Sequence, residues 1–302
     1  MTVNGYTITG FNYYFLNYYQ LPNTEQDKAG DSRSIIFPKF FVYQYEFFHY
    51  FELCRTLKKN FCVMKNRGCG FSEINASIFD CFFNCFRNSI SLLTAFDNNY
   101  VTKTLDKIWG GITFTDDNTD GGMLKLRQVV NTATKKRATH YKVINGQKIE
   151  TGWGSQIEGI VVDKDRKMRG DRVGFLFLEE SGSNPILERS FIKAEELCTV
   201  GGNKIGIIGA VGTGGDEGPA LAGLNKVYYN PEMFRILPFY HNYTESGDWV
   251  KTGFFVPSYI SMNKKGYVGE RGEYLIEKQK SYYNEIRATI TDQKTLLSHK
   301  AE

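Results

Sequence analysis

Apolar and polar residues follow two different periods along this chain. Over residues 40–57 the apolar and aromatic positions recur at helical spacing, which predicts a helix. Phe61-Cys62-Val63-Met64 is instead a short unbroken apolar run, the pattern of a buried strand. A glycine-containing loop follows at once, and residues 73–86 return to the helical period. Residues 97–135 read as mostly helical, broken by a Gly-, Asp- and Asn-rich loop near 116–122. Residues 140–144 and 147–151 flank Asn145-Gly146, a pair that favours a tight primed turn and so a hairpin. Residues 155–162, 173–178 and 204–210 are further strand candidates; 233–240 and 253–259 are strands or irregular segments. Residues 1–30 read as short aromatic strands or an arm, running into a polar stretch at 22–34. From Glu273 onward the chain is polar and helical. Strands alternating with helices predict an α/β fold around a parallel sheet.

Composition narrows this picture. A chain of 302 residues holds one large domain or two smaller ones, and 41% hydrophobic with 23% charged residues marks it as globular. Aromatics reach 15%, and many lie in the first 50 residues. A net charge of +4 permits nucleic-acid binding without requiring it. No apolar run reaches the roughly 18–20 residues of a membrane span; Asn12 and Asn17 interrupt the most apolar stretch near the N-terminus. That end also lacks a basic segment followed by a smooth apolar one, so no secretory signal is expected. Six cysteines without regular spacing point to a reducing compartment. Cys81 and Cys85 would share a helix face, with Cys54, Cys62 and Cys69 upstream, but a zinc site wants a tighter cysteine pair or a nearby histidine. Packing as small hydrophobes is the expected role.

The chemistry concentrates in three places. Lys65-Asn66-Arg67-Gly68-Cys69-Gly70-Phe71-Ser72 reads as a phosphate-binding loop with its lysine displaced. In the usual loop, two glycines with four residues between them precede Lys and Ser/Thr; backbone N–H groups cradle phosphates and the lysine reaches the outer ones. On that template Gly70 and Ser72 take the second glycine and the magnesium-binding hydroxyl, Lys65 takes the first glycine, and Phe71 fills the lysine slot. Lys65 and Arg67 keep positive charge at the front of the loop. The helix after it would direct its N-terminus at bound phosphate.

Second, residues 173–178 end in Glu179 and Glu180. Nucleotide hydrolysis needs one carboxylate near magnesium and another to orient and deprotonate water. A strand ending in two glutamates is by itself an ordinary solvated strand end; the loop upstream gives the pair its meaning. Third, Ile207 to Ala210 runs into Val211-Gly212-Thr213-Gly214-Gly215-Asp216, where glycines allow close backbone approach and Thr213 offers a hydroxyl to a phosphate or its water. Alone, that segment reads equally as a flexible turn.

In this order and spacing the three elements resemble the N-terminal ATPase domain of the large terminase subunit of tailed bacteriophages. Met168-Arg169-Gly170-Asp171-Arg172 resembles the segment that precedes the acidic strand in that family, and residues 8–17 resemble the aromatic arm of some of its members. The resemblance extends to about residue 260. It implies a P-loop NTPase fold, a three-layer α/β sandwich with a largely parallel central sheet. It implies an aromatic arm over 1–34, an ATPase domain over 35–260, and a helical linker, or the start of an absent nuclease domain, over 261–302.

The function so implied is ATP hydrolysis that drives double-stranded viral DNA into a procapsid, in the cytoplasm of an infected bacterium. ATP and Mg2+ are the implied cofactors. The implied partners are DNA, the portal protein, the small terminase subunit and further copies of the chain in a ring, with no membrane. Lys65 and Arg67 would contact phosphates, Gly68, Cys69, Gly70 and Phe71 would supply backbone donors, and Ser72 would hold magnesium. Glu179 takes the metal side, Glu180 the catalytic base, and Thr213 the motif that couples hydrolysis to movement. Arg169 and Arg172 are both candidates for an arginine finger on the developing phosphate charge, with the choice between them open. Tyr43 and Gln44 fall where related motors meet adenine, although packing within a helix is the expected role of Tyr43.

Two positions depart from the family pattern: Phe71 stands for lysine and Glu179 for aspartate. A long flexible Lys65 approaching from the other end of the loop is the expected compensation. A helicase-type translocase would need a second complete motor domain, for which the chain has no room. The other alternative is a catalytically weak nucleotide-binding scaffold that docks to portal or DNA, and Phe71 is the residue in its favour. The basic stretches 135–137 and 164–172 are expected to be solvated faces, unless a motor grips DNA phosphates with them. Asp248, Glu270 and Glu273 lack apolar strands leading into them, so no nuclease site is expected from this chain.

Overall fold

The computed structural model describes residues 1–22, 34–120, 130–162, 172–214, 219–244, 246–262 and 266–291. Eight strands form the central sheet: β1 (Phe61–Lys65), β2 (Ile90–Ala95), β3 (Val130–Asn131), β4 (Lys135–Ile144), β5 (Gln147–Val161), β6 (Phe175–Leu178), β7 (Ile207–Thr213) and β8 (Phe254–Val256). Their spatial order is β8-β1-β7-β6-β2-β5-β4-β3. The run from β8 to β5 is parallel throughout, and β4 and β3 continue it antiparallel.

The sheet is buried on both faces because its strands are apolar at successive positions. Along β1, Phe61 and Val63 face one core while Cys62 and Met64 face the other. Along β6, Phe175 and Phe177 join the first core, Leu176 and Leu178 the second. This period of two separates two helical layers. The first comprises α1 (Gly10–Tyr18), α2 (Val42–Leu57), α3 (Phe71–Cys85) and α4 (Asn98–Asn118), through Phe11, Phe47, Phe79 and Ile108 among others. The second comprises α5 (Leu187–Leu197) and α6 (Pro219–Tyr229), through Phe191 and Leu224. A final polar helix, α7, spans Ile276–Thr289. The three-layer α/β sandwich with a largely parallel sheet is as the motifs imply.

Several local expectations change. Residues 10–18 are helical, not extended, because Thr9 caps the helix by accepting the Asn12 N–H, and the aromatic ladder then faces inward. Phe11, Tyr14 and Phe15 are buried in the main core, so the aromatic N-terminus is part of it. The helical reading of 97–135 holds only to Asn118, and β3 and the start of β4 occupy its end. The strand candidate at 155–162 and the second hairpin strand are one continuous strand, β5, paired with β4 over Asn145-Gly146. Strand β2 and helices α5 and α6 have no counterpart in the sequence reading. The cysteine expectation holds for Cys54, Cys62, Cys69, Cys81 and Cys198, which are buried thiols, but not for Cys85, which is exposed at the end of α3.

Beside the sheet, Phe239–His241 pairs with Val250–Thr252. His241 is buried there, with Nε2 3.0 Å from Thr252 Oγ1 and 3.4 Å from Tyr228 Oη. Burial holds its imidazole down to about 4, against an ordinary 6.5. The unfolded chain therefore takes up a proton near pH 6.5 that the folded protein refuses until about 4, and stability falls as pH falls across that window. Thermal melts from pH 7 to 4 should show a shallower acid-side decline for His241→Gln than for the wild type. Parallel declines would remove His241 from the account.

Candidate functional site

The site lies at the C-terminal edge of β1, β6 and β7, where the parallel strands release their loops. β1 ends in Lys65, and the loop that follows turns sharply at Gly68 and Gly70, with φ of 81° and 75°. Only glycine takes such angles without a Cβ penalty, and Gly70 delivers the chain into the first turn of α3. The loop is braced from behind. Tyr43 Oη donates to the Cys69 carbonyl at 2.8 Å, Gln44 Nε2 donates to Tyr43 Oη at 3.1 Å, and Ser261 Oγ donates to Asn66 Oδ1 at 2.7 Å. Tyr43 is thus a buried packing residue, as expected, with an added grip on the loop.

A cavity of about 670 Å³ opens in front of the loop. Lys65, Arg67, Gly68, Cys69, Gly70, Phe71, Ser72, Glu180 and Thr213 all line it, although they come from three separate stretches of chain. Phe71 contributes only its start-of-helix position: its ring is buried and meets Phe47 edge-on at 4.8 Å. The side chain in the lysine slot therefore serves the core. The cation comes from Lys65. Its Nζ donates to Thr213 Oγ1 at 2.9 Å and sits 3.6 Å from Glu180 Oε1, with a side chain only 9% exposed.

Glu179 and Glu180 are split by the backbone. Glu179 remains in line with the strand, its N–H held by the Thr94 carbonyl at 2.8 Å, and its carboxylate is buried. Ser72 Oγ donates to Glu179 Oε1 at 2.6 Å, while Oε2 is buried without a partner. Burial, opposed by the Ser72 hydrogen bond, raises the Glu179 pKa above the ordinary carboxylate value. Glu180 instead adopts a left-handed conformation, φ 43° and ψ 48°, which turns its side chain into the cavity beside Lys65. A non-glycine residue in that region carries strain of about 1–2 kcal/mol.

Ser72 and Glu179 together offer hard oxygen donors with one carboxylate oxygen unsatisfied, a set that fits magnesium. Among the described residues no cluster of three or more His, Cys, Asp or Glu could hold a metal alone. An ion here would need oxygens from a ligand, as magnesium bound with phosphates does.

Gly212 shows why the third element is glycine-rich. A Cβ there would lie 2.6 Å from the Gly182 nitrogen and 2.5 Å from Leu224 Cδ2. The end of β7 therefore presses against the turn that follows Glu180, and Thr213 is placed by that contact. Gly215 and Asp216 lie outside the described residues, as does Arg169. Arg172 is exposed, donates to the Glu196 carbonyl at 2.7 Å and does not line the cavity. Lys135 pairs with Glu158 at 2.8 Å, Arg137 with Glu150 at 3.1 Å, and Lys136 Nζ donates to Asn131 Oδ1 at 2.7 Å. These cations already have partners in the sheet.

The cavity also contains residues that no motif predicts. Glu73, Tyr100, Lys107, Ser183 and Leu221 line it. Tyr100 and Lys107 stand two turns apart on one face of α4, a spacing visible in the sequence, but nothing local ties that helix to the loop.

No protein-family model matches the sequence, and no curated protein does. The fold does match solved structures. The large terminase ATPase domain of Thermus phage P74-26 aligns over 80% of this chain and 87% of its own, at TM-score 0.51 and 13% identity. A variant of that domain with one arginine-to-alanine substitution aligns over the same shares at TM-score 0.53 and 13% identity. This chain thus shares the fold of these large terminase ATPase domains, although only 13% of the aligned residues are identical.

The strain at Glu180 is testable without any ligand. Glu180→Gly and Glu180→Ala both lose the contact with Lys65, but only glycine also loses the Cβ penalty, so the glycine variant should melt at least roughly 2 °C above the alanine variant. A glycine variant that melts no higher than the alanine variant would show that Glu180 is not held against its own backbone preference.

Proposed function

We propose that this chain is the ATP-hydrolysing motor domain of a large terminase, which drives double-stranded viral DNA into a procapsid. The observation that carries the proposal is the convergence of Lys65, Ser72, Glu180 and Thr213 on one cavity at the strand ends, with the buried Glu179 hydrogen-bonded to Ser72 directly behind it. Three motifs far apart in sequence meet there in the roles that phosphoryl transfer requires. The shared fold with a phage ATPase domain supports the same reading.

The roles follow from environment. Gly68 to Ser72 line the cavity at the start of α3, where backbone donors and the helix dipole favour phosphate. Lys65 brings a desolvated cation to the same place. Ser72 and Glu179 would hold Mg2+, which when bound neutralises charge developing on the phosphates. Glu180, about a quarter exposed at the cavity wall and turned out of line with the strand, is the carboxylate suited to orient a water and take its proton. Thr213 hydrogen-bonds Lys65, so a change in the lysine's partner would be felt along β7. That contact is a route from hydrolysis to movement.

The rest of the proposal extends to assembly: a ring of copies on a portal, fed with DNA by a small terminase subunit, in the cytoplasm of the bacterial host. Among the described residues no helix is long and apolar enough to cross a membrane.

Purified chain should hydrolyse ATP in a magnesium-dependent manner, faster with duplex DNA. Glu180→Gln should still bind ATP while its turnover falls by about 10²–10⁴, the usual loss for a positioned base. Binding without turnover in the wild type would favour the scaffold reading that Phe71 raises; full turnover in Glu180→Gln would assign the base elsewhere.

A further inference from the structure

Helix α4 forms the wall of the cavity through Tyr100 and Lys107, and it belongs to none of the three motifs. Lys107 Nζ lies 2.7 Å from Glu73 Oε1. The other oxygen of the same carboxylate, Oε2, accepts a hydrogen bond from Tyr19 Oη at 2.6 Å. Glu73 follows Ser72 directly, stands in the first turn of α3 and also lines the cavity. A carboxylate there suits the helix dipole. It also sets a negative charge beside the loop, which Lys107 neutralises in the free protein.

The members of this cluster differ in mobility. Tyr19 is buried at the end of α1, locked in the aromatic core. Glu73 is 18% exposed, and Lys107, on a flexible four-carbon stem, is 35% exposed. Lys65 by contrast is 9% exposed and held by both Thr213 and Glu180. Lys107 is a cavity cation that can move, as is the exposed Arg67 at the loop's tip, and Lys107 is the one that rests on a carboxylate beside the phosphate loop. If it leaves Glu73, Tyr19 still donates to Oε2, and the partly exposed carboxylate lines the cavity, open to water at Oε1. Its charge also reaches the buried Glu179 carboxyl, on the magnesium side of the site, where it opposes the rise caused by burial.

With Phe71 turned into the core, the loop's helix end contributes no cation. We propose that Lys107 is a second phosphate-binding cation, parked on Glu73 in the free protein and transferred to the terminal phosphate of a nucleoside triphosphate on binding. This rests on the nucleotide reading above and adds a residue to it. The exchange also ties site occupancy to the N-terminal helix, because Tyr19 grips the carboxylate that Lys107 leaves.

The test compares affinities for ATP and ADP, both with magnesium, by calorimetry. Lys107→Ala should weaken ATP binding about tenfold or more while ADP binding changes less than about threefold, and Lys107→Arg should restore most of the ATP affinity. Glu73→Gln removes the parking charge and should tighten ATP binding several-fold. Lys103→Ala, an exposed charge one turn earlier on α4 and outside the cavity, should leave both affinities unchanged. Equal loss of ATP and ADP in Lys107→Ala would make the residue merely structural and overturn the proposal. So would an unchanged ATP-to-ADP ratio, or a Glu73→Gln that weakens ATP binding. Failure of the wild type to bind ATP at all would overturn the nucleotide reading, and this inference with it.

Discussion

The site depends on one buried cation, the ammonium of Lys65 at the C-terminal end of the central strand β1. A charge in that position is costly unless it is paired, and here Thr213 and Glu180 share it. Thr213 ends β7 and Glu180 opens the turn just after β6, the two strands nearest on one side. One lysine therefore gathers three strand ends, and the register of a parallel sheet sets where they meet. Charge magnitude favours this arrangement over Arg67. Unit charges about 4 Å apart interact by about 4 kcal/mol near a protein surface but only about 1 kcal/mol in bulk water. Lys65 is enclosed and Arg67 is exposed at the loop's tip, so the same formal charge acts more strongly from Lys65.

Moving the cation from helix to strand frees the second loop position for the core. Phe71 joins Phe47, Phe51, Phe61 and Phe175 in a continuous layer of rings between α2, α3 and the sheet. Each such pair adds about 0.5–1.5 kcal/mol beyond area burial. The loop is thereby anchored from beneath by packing and from behind by Tyr43, so its N–H groups have a fixed direction before any ligand arrives. Pre-organised donors of this kind need no rearrangement when charge develops in front of them.

Much of this was legible in the residues. The apolar runs at Phe61-Met64 and Phe175-Leu178 are buried strands because nothing polar interrupts them, and the loop after the first is defined by glycines whose φ is positive. The glutamate pair was visible, but its division into a buried Glu179 and an outward Glu180 was not, because that depends on a strained backbone turn. Helix α1 was misread since its aromatic density resembles strand composition, and only the Thr9 cap and the core behind it decide otherwise. Strand β2 escaped notice because six residues between two helices carry little period of their own. Lys107 and Glu73 could not be joined to the site from sequence: their pairing comes from the packing of α3 against α4.

The central claim is that Lys65 does the work of the missing loop lysine. Its most direct measurement is the affinity of a slowly hydrolysed magnesium-ATP analogue for Lys65→Met and Arg67→Ala, with melting temperatures taken alongside. Lys65→Met keeps the side-chain volume and should weaken binding at least about thirtyfold in a protein that still folds, a loss in the range of a charge-assisted hydrogen bond in a dry site. Arg67→Ala should weaken it only a few-fold. Wild-type affinity in a folded Lys65→Met protein, or the larger loss in Arg67→Ala, would contradict the account.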